Sequence, residues 1–172
     1  MFGVVWDSSQ VLARVMIDFD IDGKRILELG CGMALSSLLL NRRGGDITAT
    51  DYHPDVAAYL QINTGLNEDN DIPYFRADWD KPEINHGPFD LIIASDVLYD
   101  RSKLVSLARF IQNHAQPRCE IVMVDPGRKL KLKGPFSHLM AEYGFALQQE
   151  KAEDSSYLAK PFTGSIMKYS RS

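Results

Sequence analysis

An apolar strand that runs directly into a glycine turn constrains this chain more than any other feature: Ile26-Leu27-Glu28-Leu29-Gly30-Cys31-Gly32. An apolar helical pattern begins at Leu35, and Asp51 closes the next apolar run. Strand, tight turn, helix and a second strand ending in an acid is the layout that seats a nucleotide-like ligand at the strand ends. The acid is placed to hold ribose hydroxyls. Two large enzyme classes share this layout, so neighbouring residues must decide the chemistry.

The rest of the chain alternates strands and helices. Leu12, Val15, Met16 and Phe19 recur at helical spacing and predict a first amphipathic helix, with Ser8 or Ser9 as its cap. Strands are predicted at 25–29, 47–50, 72–76, 89–95, 119–124, 145–150 and 165–169. The third holds Pro73, which belongs on an edge. The fourth is almost wholly apolar, as a strand covered on both faces must be. Helices are predicted around Leu35–Leu39 (stopping at Gly44-Gly45), Val56–Asn63, Leu104–Ile111 and Phe136–Tyr143. Strand-helix alternation implies a doubly wound, mostly parallel seven-stranded α/β sheet with helices on both faces. The last two strands have no crossover helix between them, so they are antiparallel if adjacent.

A chain of 172 residues is long enough to bury a core, and its length suits one domain. A net charge of −4 argues against bulk nucleic-acid binding. The one basic run, Arg128-Lys129-Leu130-Lys131-Leu132-Lys133, reads first as a solvated loop and second as a patch for an acidic partner. Cys31 and Cys119 lack a disulfide or metal spacing and read as reduced thiols of a cytoplasmic protein. No apolar run has membrane-spanning length. His53, His86, His114 and His138 form no ligand pair, so no metal site is expected.

In an open sheet the ligand lies beyond the carboxyl ends of the strands. Four segments fall there: Gly30–Gly32, Asp51, Asp78-Trp79 and Ser95–Tyr99. Gly30 and Gly32 let the main chain pass close to a ligand, or form an ordinary tight turn. Asp51 can accept bonds from both ribose hydroxyls and can also cap the helix near Pro54. Asp78 can accept from an adenine amine and Trp79 can pack on the ring, although Asp-Trp-Asp-Lys-Pro also suits a surface turn. Glu28 would repel a pyrophosphate, whereas S-adenosylmethionine carries a sulfonium and an ammonium and no phosphate. This favours that cofactor over NAD, unless Glu28 is paired with Lys24, Arg25 or another base. Asp96 could attract and orient a substrate amine, and Tyr99 could wall the pocket and hydrogen-bond the nucleophile. Alternatively, the segment is a helix cap with a core tyrosine.

These residues resemble a known family. Glu28-Leu-Gly-Cys-Gly32, Asp51-Tyr52, the run from Phe89 to Tyr99, and Asp125-Pro-Gly-Arg128 are similar to the small seven-β-strand methyltransferases. More narrowly, they resemble the methyltransferase-like protein-lysine methyltransferases that modify chaperones, elongation factors and the electron-transfer flavoprotein. Val5-Trp6-Asp7-Ser8-Ser9 is similar to that group's N-terminal tryptophan motif, and Asp96-x-x-Tyr99 to its acid-x-x-aromatic motif. The resemblance implies one Rossmann-like domain over 1–172, with the tryptophan motif and first helix in 1–20 and the core in 24–172. It implies an antiparallel C-terminal strand. It implies S-adenosyl-L-methionine contacts at Trp6, Glu28, Gly30, Cys31, Gly32, Asp51, Tyr52, Asp78, Trp79 and Ser95, and Asp96 and Tyr99 as catalytic residues at the methyl-acceptor end. A protein lysine is the implied acceptor. A small molecule or RNA is the alternative, ahead of an NAD oxidoreductase or a non-catalytic module. Ala34 stands where the group frequently has glycine, and little sequence precedes Trp6.

Overall fold

The computed structural model describes residues 3–81 and 86–172. Its strands are β1 (Arg25–Leu29), β2 (Asp46–Asp51), β3 (Tyr74–Arg76), β4 (Phe89–Ser95), β5 (Ala115–Asp125), β6 (Ala146–Glu150) and β7 (Ser165–Arg171). Its helices are α1 (Asp7–Met16), α2 (Leu35–Arg42), α3 (Val56–Leu66), α4 (Leu104–His114) and α5 (Leu130–Glu142). The strands form one seven-stranded sheet in the order β3-β2-β1-β4-β5-β7-β6. β1 to β5 pair in parallel, and β7 runs antiparallel between β5 and β6. This is the predicted α/β architecture. β3 lies at the sheet edge, and Pro73 stands just before its first residue, Tyr74.

Period-two alternation along the central strands sorts the core into two layers. Ile26, Leu91, Ile93, Val122 and Val124 pack with Val11, Leu12 and Met16 of α1, Leu40 of α2 and Val56 and Leu60 of α3. Leu27, Leu29, Ile92, Ile121 and Met123 pack on the other face with Leu107 and Ile111 of α4 and Phe136 and Met140 of α5. No helix among the described residues is long and apolar enough to cross a membrane.

Four local expectations change. α1 ends at Met16, before Phe19, because Arg43 at the end of α2 takes over its terminus. The guanidinium donates to the carbonyls of Met16 at 2.6 Å and of Phe19 at 3.0 Å. Neither Ser8 nor Ser9 caps α1: Trp6 occupies the N-cap, and the Ser9 hydroxyl donates back to the Trp6 carbonyl at 2.7 Å. β5 starts at Ala115, four residues before Cys119, because Arg171 of β7 donates to the carbonyls of Gln116 and Pro117 and holds that polar stretch extended. Finally, Leu130–Lys133 is not a solvated loop but the opening turn of α5. Leu132, Phe136 and Met140 are buried at i, i+4 and i+8, so the apolar face continues back through Pro135.

Candidate active site

Between β1 and β4 the strand order reverses, since the chain leaves β1 toward β2 and β3 and returns to β4. The carboxyl ends of these two strands open into a cavity of about 840 Å³, a volume suited to a small ligand. Every predicted site residue except Glu28 lines it: Trp6, Gly30, Cys31, Gly32, Asp51, Tyr52, Asp78, Trp79, Ser95, Asp96 and Tyr99.

The glycine loop forms one wall. Gly30, Gly32 and Ala34 have φ of +58°, +53° and +58°, while the residues between them do not take positive φ. A main chain that alternates in this way turns successive N–H groups toward one side. A Cβ on Gly30 would sit 3.2 Å from Val97 Cγ1, a tight contact in the turn beyond β4, and the left-handed backbone there would strain any side chain. Ala34 holds the same left-handed conformation without glycine's freedom, at a cost of about 1–2 kcal/mol.

Asp51 knits the loop to β2. Its Oδ2 accepts from Gly32 N at 2.9 Å and its Oδ1 from His53 N at 2.8 Å. Two further lone-pair positions on the carboxylate remain for a ligand. Asp78 accepts from Asp80 N at 3.2 Å and pairs with Lys81 at 3.3 Å, so the surface-turn geometry is present. The same turn lays Trp79 against the core and the cavity. The Cys31 thiol is buried and pushed well above its ordinary pKa by desolvation and by Glu28 and Asp51, which leaves it an inert neutral wall.

Glu28 departs from expectation. It makes no salt bridge to Lys24 or Arg25, which pair with Glu120 and Asp46. Its side chain points from β1 to the start of α2, where Oε2 accepts from Ser37 N at 2.9 Å and from the Ser37 hydroxyl. A sequence pattern does not reveal which side of the turn such a carboxylate serves. Burial raises Glu28 to about 7 from an ordinary 4.5, against the opposing effect of the Ser37 bonds. The folded protein therefore keeps this proton up to about pH 7, while the unfolded chain releases it near 4.5. The stability this supplies is complete below the unfolded value and is lost as pH rises through the folded one. Glu28→Gln keeps an acceptor for Ser37 and removes the titration. In urea melts of the ligand-free protein it should exceed wild type by about 1–3 kcal/mol at pH 8, with a smaller difference at pH 5. A difference that does not vary with pH would contradict this origin.

At the opposite wall, β4 ends in a turn on Asp96, whose φ of +54° is unusual for a residue with a side chain. Its N–H donates to Val124 O at 2.9 Å, which ties the turn to β5. Tyr99 follows, 54% exposed and lining the cavity. Desolvation raises its hydroxyl pKa, so the phenol stays protonated at neutral pH and can donate a hydrogen bond. Asp100 then caps the next turn by accepting from Ser102 N at 2.9 Å.

The loop between β5 and α5 completes this end. Arg128 forms an ion pair with Asp96, and its guanidinium lies 5.1 Å from the centre of the Trp6 ring. Lys129 donates to the Tyr99 carbonyl. The sequence presents Arg128 only within a family-like motif and a basic run, and does not mark it as the partner of Asp96. The available signal was its place just beyond the carboxyl end of a strand beside β4, the same rule that located Asp51 and Asp96.

Known proteins share the family and the fold of this chain. A family model described as lysine methyltransferase matches residues 1–141. The electron transfer flavoprotein beta subunit lysine methyltransferase of Mus musculus is 30% identical over 133 residues, 74% of this chain and 51% of that protein. The histidine protein methyltransferase 1 homolog of Dictyostelium discoideum is 29% identical over 119 residues, 65% of this chain and 38% of that protein. The chain thus spans about half, or less, of the length of these relatives. Magnesium protoporphyrin IX methyltransferase from Synechocystis PCC 6803, solved with bound SAM, superposes with a TM-score of 0.72 at 18% identity, covering 96% of this chain and 78% of that one. That likeness is one of fold.

Proposed function

The chain belongs to the lysine methyltransferase family, and from this premise we propose that it methylates a lysine side-chain amine of a protein, with S-adenosylmethionine as the methyl donor. The observation that carries the reading is the cavity itself. One end is built from a glycine loop and a ribose-type carboxylate, and the other from Asp96 and Tyr99.

The residues fit the cofactor. Asp51 keeps acceptor positions for a ribose diol, the main chain of Gly30–Gly32 leaves room for close approach, and Trp79 offers a flat apolar face. Among the described residues, no lysine or arginine lines the end formed by Gly30–Leu35 and Asp51–His53. S-adenosylmethionine carries no phosphate and needs no such cation, and the family match sets it ahead of NAD. When bound, S-adenosylmethionine supplies a methyl carbon activated by its sulfonium. Trp6, Cys31, Tyr52, Asp78 and Ser95 would hold it alongside these groups. Asp96 would draw in the acceptor ammonium and orient the amine after its proton has left to solvent. The Tyr99 hydroxyl and ring would align it. This division of labour needs no metal or strong base from the chain, because alignment at about 3–3.5 Å and exclusion of water supply much of the acceleration. The relative from Mus musculus is named for a protein lysine, which supports the same acceptor class.

Labelled S-adenosylmethionine incubated with a lysate of cells in which the chain is native tests this. Label should appear in protein, on a lysine nitrogen, and be lost when the enzyme carries Asp96→Asn. Label confined to small molecules or RNA would overturn the assignment.

A further inference from the structure

We propose that Arg128 is a charge gate on the acceptor site, occupying Asp96 until a cationic acceptor competes it away, so that entry of a protonated amine proceeds by exchange with the guanidinium. The inference rests on the methyltransferase reading above.

Asp96 and Arg128 both line the cavity, but unequally. The carboxylate is the inner partner, with its side chain 19% exposed, and the guanidinium the outer one at 55%. A half-exposed arginine ion pair is weak and readily exchanged. Arg128 also has somewhere to go: its guanidinium already lies against the exposed Trp6 ring, which can hold it by cation–π attraction after release from Asp96. The guanidinium needs to leave only the carboxylate, since the ring already lies beside it, and Lys129 Nζ donates to the Tyr99 carbonyl just after it.

Charge decides which ligand can open the gate. An alkylammonium replaces the guanidinium one charge for one on entry, so the Asp96 carboxylate keeps a counter-charge when the gate opens. A neutral imidazole, hydroxyl or amide would either strand that carboxylate without a counter-charge or have to share the space with Arg128. The same acid turn without the arginine would bind an ammonium more tightly, since no guanidinium would have to be displaced. Arg128 is on this account a positioning residue that acts through Asp96, keeping the carboxylate paired while the acceptor site is empty.

The test uses n-butylammonium as a lysine side-chain probe and n-butanol as its neutral isostere. Each is titrated by NMR into the full chain saturated with S-adenosylhomocysteine, following the Trp6 indole N–H. Wild type should bind n-butylammonium weakly, with the Trp6 signal moving. Arg128→Gln should bind it about tenfold more tightly, because the fraction of open sites rises. Arg128→Lys should stay close to wild type, and n-butanol should gain nothing in either variant. An unchanged n-butylammonium affinity in Arg128→Gln overturns the gate, as does an equal gain for n-butanol, which would mean simple widening. Absence of saturable ammonium binding in all three proteins overturns it as well. Failure of wild type to bind S-adenosylhomocysteine removes the methyltransferase reading itself, a separate result from failure of the ammonium arm alone.

Discussion

Asp96→Asn is expected to lower turnover by about 10²–10⁴-fold while leaving S-adenosylmethionine affinity within about threefold of wild type. Asparagine is the informative replacement because it tolerates the left-handed conformation that Asp96 holds at φ +54° and nearly matches its volume. The Asp96 N–H bond to Val124 O survives, since it belongs to the main chain. What disappears is the negative charge: the attraction for an ammonium, and the acceptor that fixes the amine after deprotonation. Alanine removes the same charge but adds backbone strain, so a greater loss of melting temperature for Asp96→Ala than for Asp96→Asn separates conformation from chemistry. Single-turnover transfer on the labelled protein substrate, with calorimetry for the cofactor, reads both quantities. Turnover near that of wild type in Asp96→Asn would exclude the acceptor role.

The place of Asp96 follows from strand order alone, because an open α/β sheet confines ligand groups to the carboxyl ends of its strands. Gly30, Asp51, Ser95 and Asp96 are all legible on that rule, and all line one cavity. Glu28 shows where the rule stops. It lies on a strand, and strand side chains alternate between faces, so a carboxylate one or two residues before the turn is directed to a helix rather than the cavity. Ser37 received it, and no pattern in the chain marked Ser37 as its partner. Arg128 was lost for another reason. A run of alternating lysine and leucine ahead of Pro135 looks like a helix breaker with solvated charges, yet burial of Leu132 carries α5 back to Leu130 and brings the basic run onto the site. Lys133 meets Asp125 at 2.9 Å in the same way. Tertiary burial overrode a local signal in both instances.

The second large effect concerns the other carboxylate. Asp51→Ala should weaken S-adenosylmethionine binding by about 10²-fold or more, since two charge-assisted hydrogen bonds to a ribose are each worth about 1.5–3 kcal/mol. It should also destabilise the ligand-free protein, because the carboxylate ties Gly32 N at 2.9 Å and His53 N at 2.8 Å, and both donors lose their acceptor. Asn is little better here: its amide nitrogen would face one of those N–H groups, so only one bond can be kept. Calorimetry for affinity and thermal melts for stability check both parts, and affinity within threefold of wild type would refute the ribose assignment. The two variants should also differ in which kinetic constant responds. Asp51 acts on the cofactor in the ground state, so saturating cofactor should restore most of the rate of Asp51→Ala. Asp96 acts on the acceptor at the reacting atoms, and no cofactor concentration should restore Asp96→Asn. That asymmetry follows from one cavity with a carboxylate at each end. If instead both variants failed only in cofactor binding, Asp96 would belong to the cofactor end, and the Arg128 pair would guard the wrong ligand.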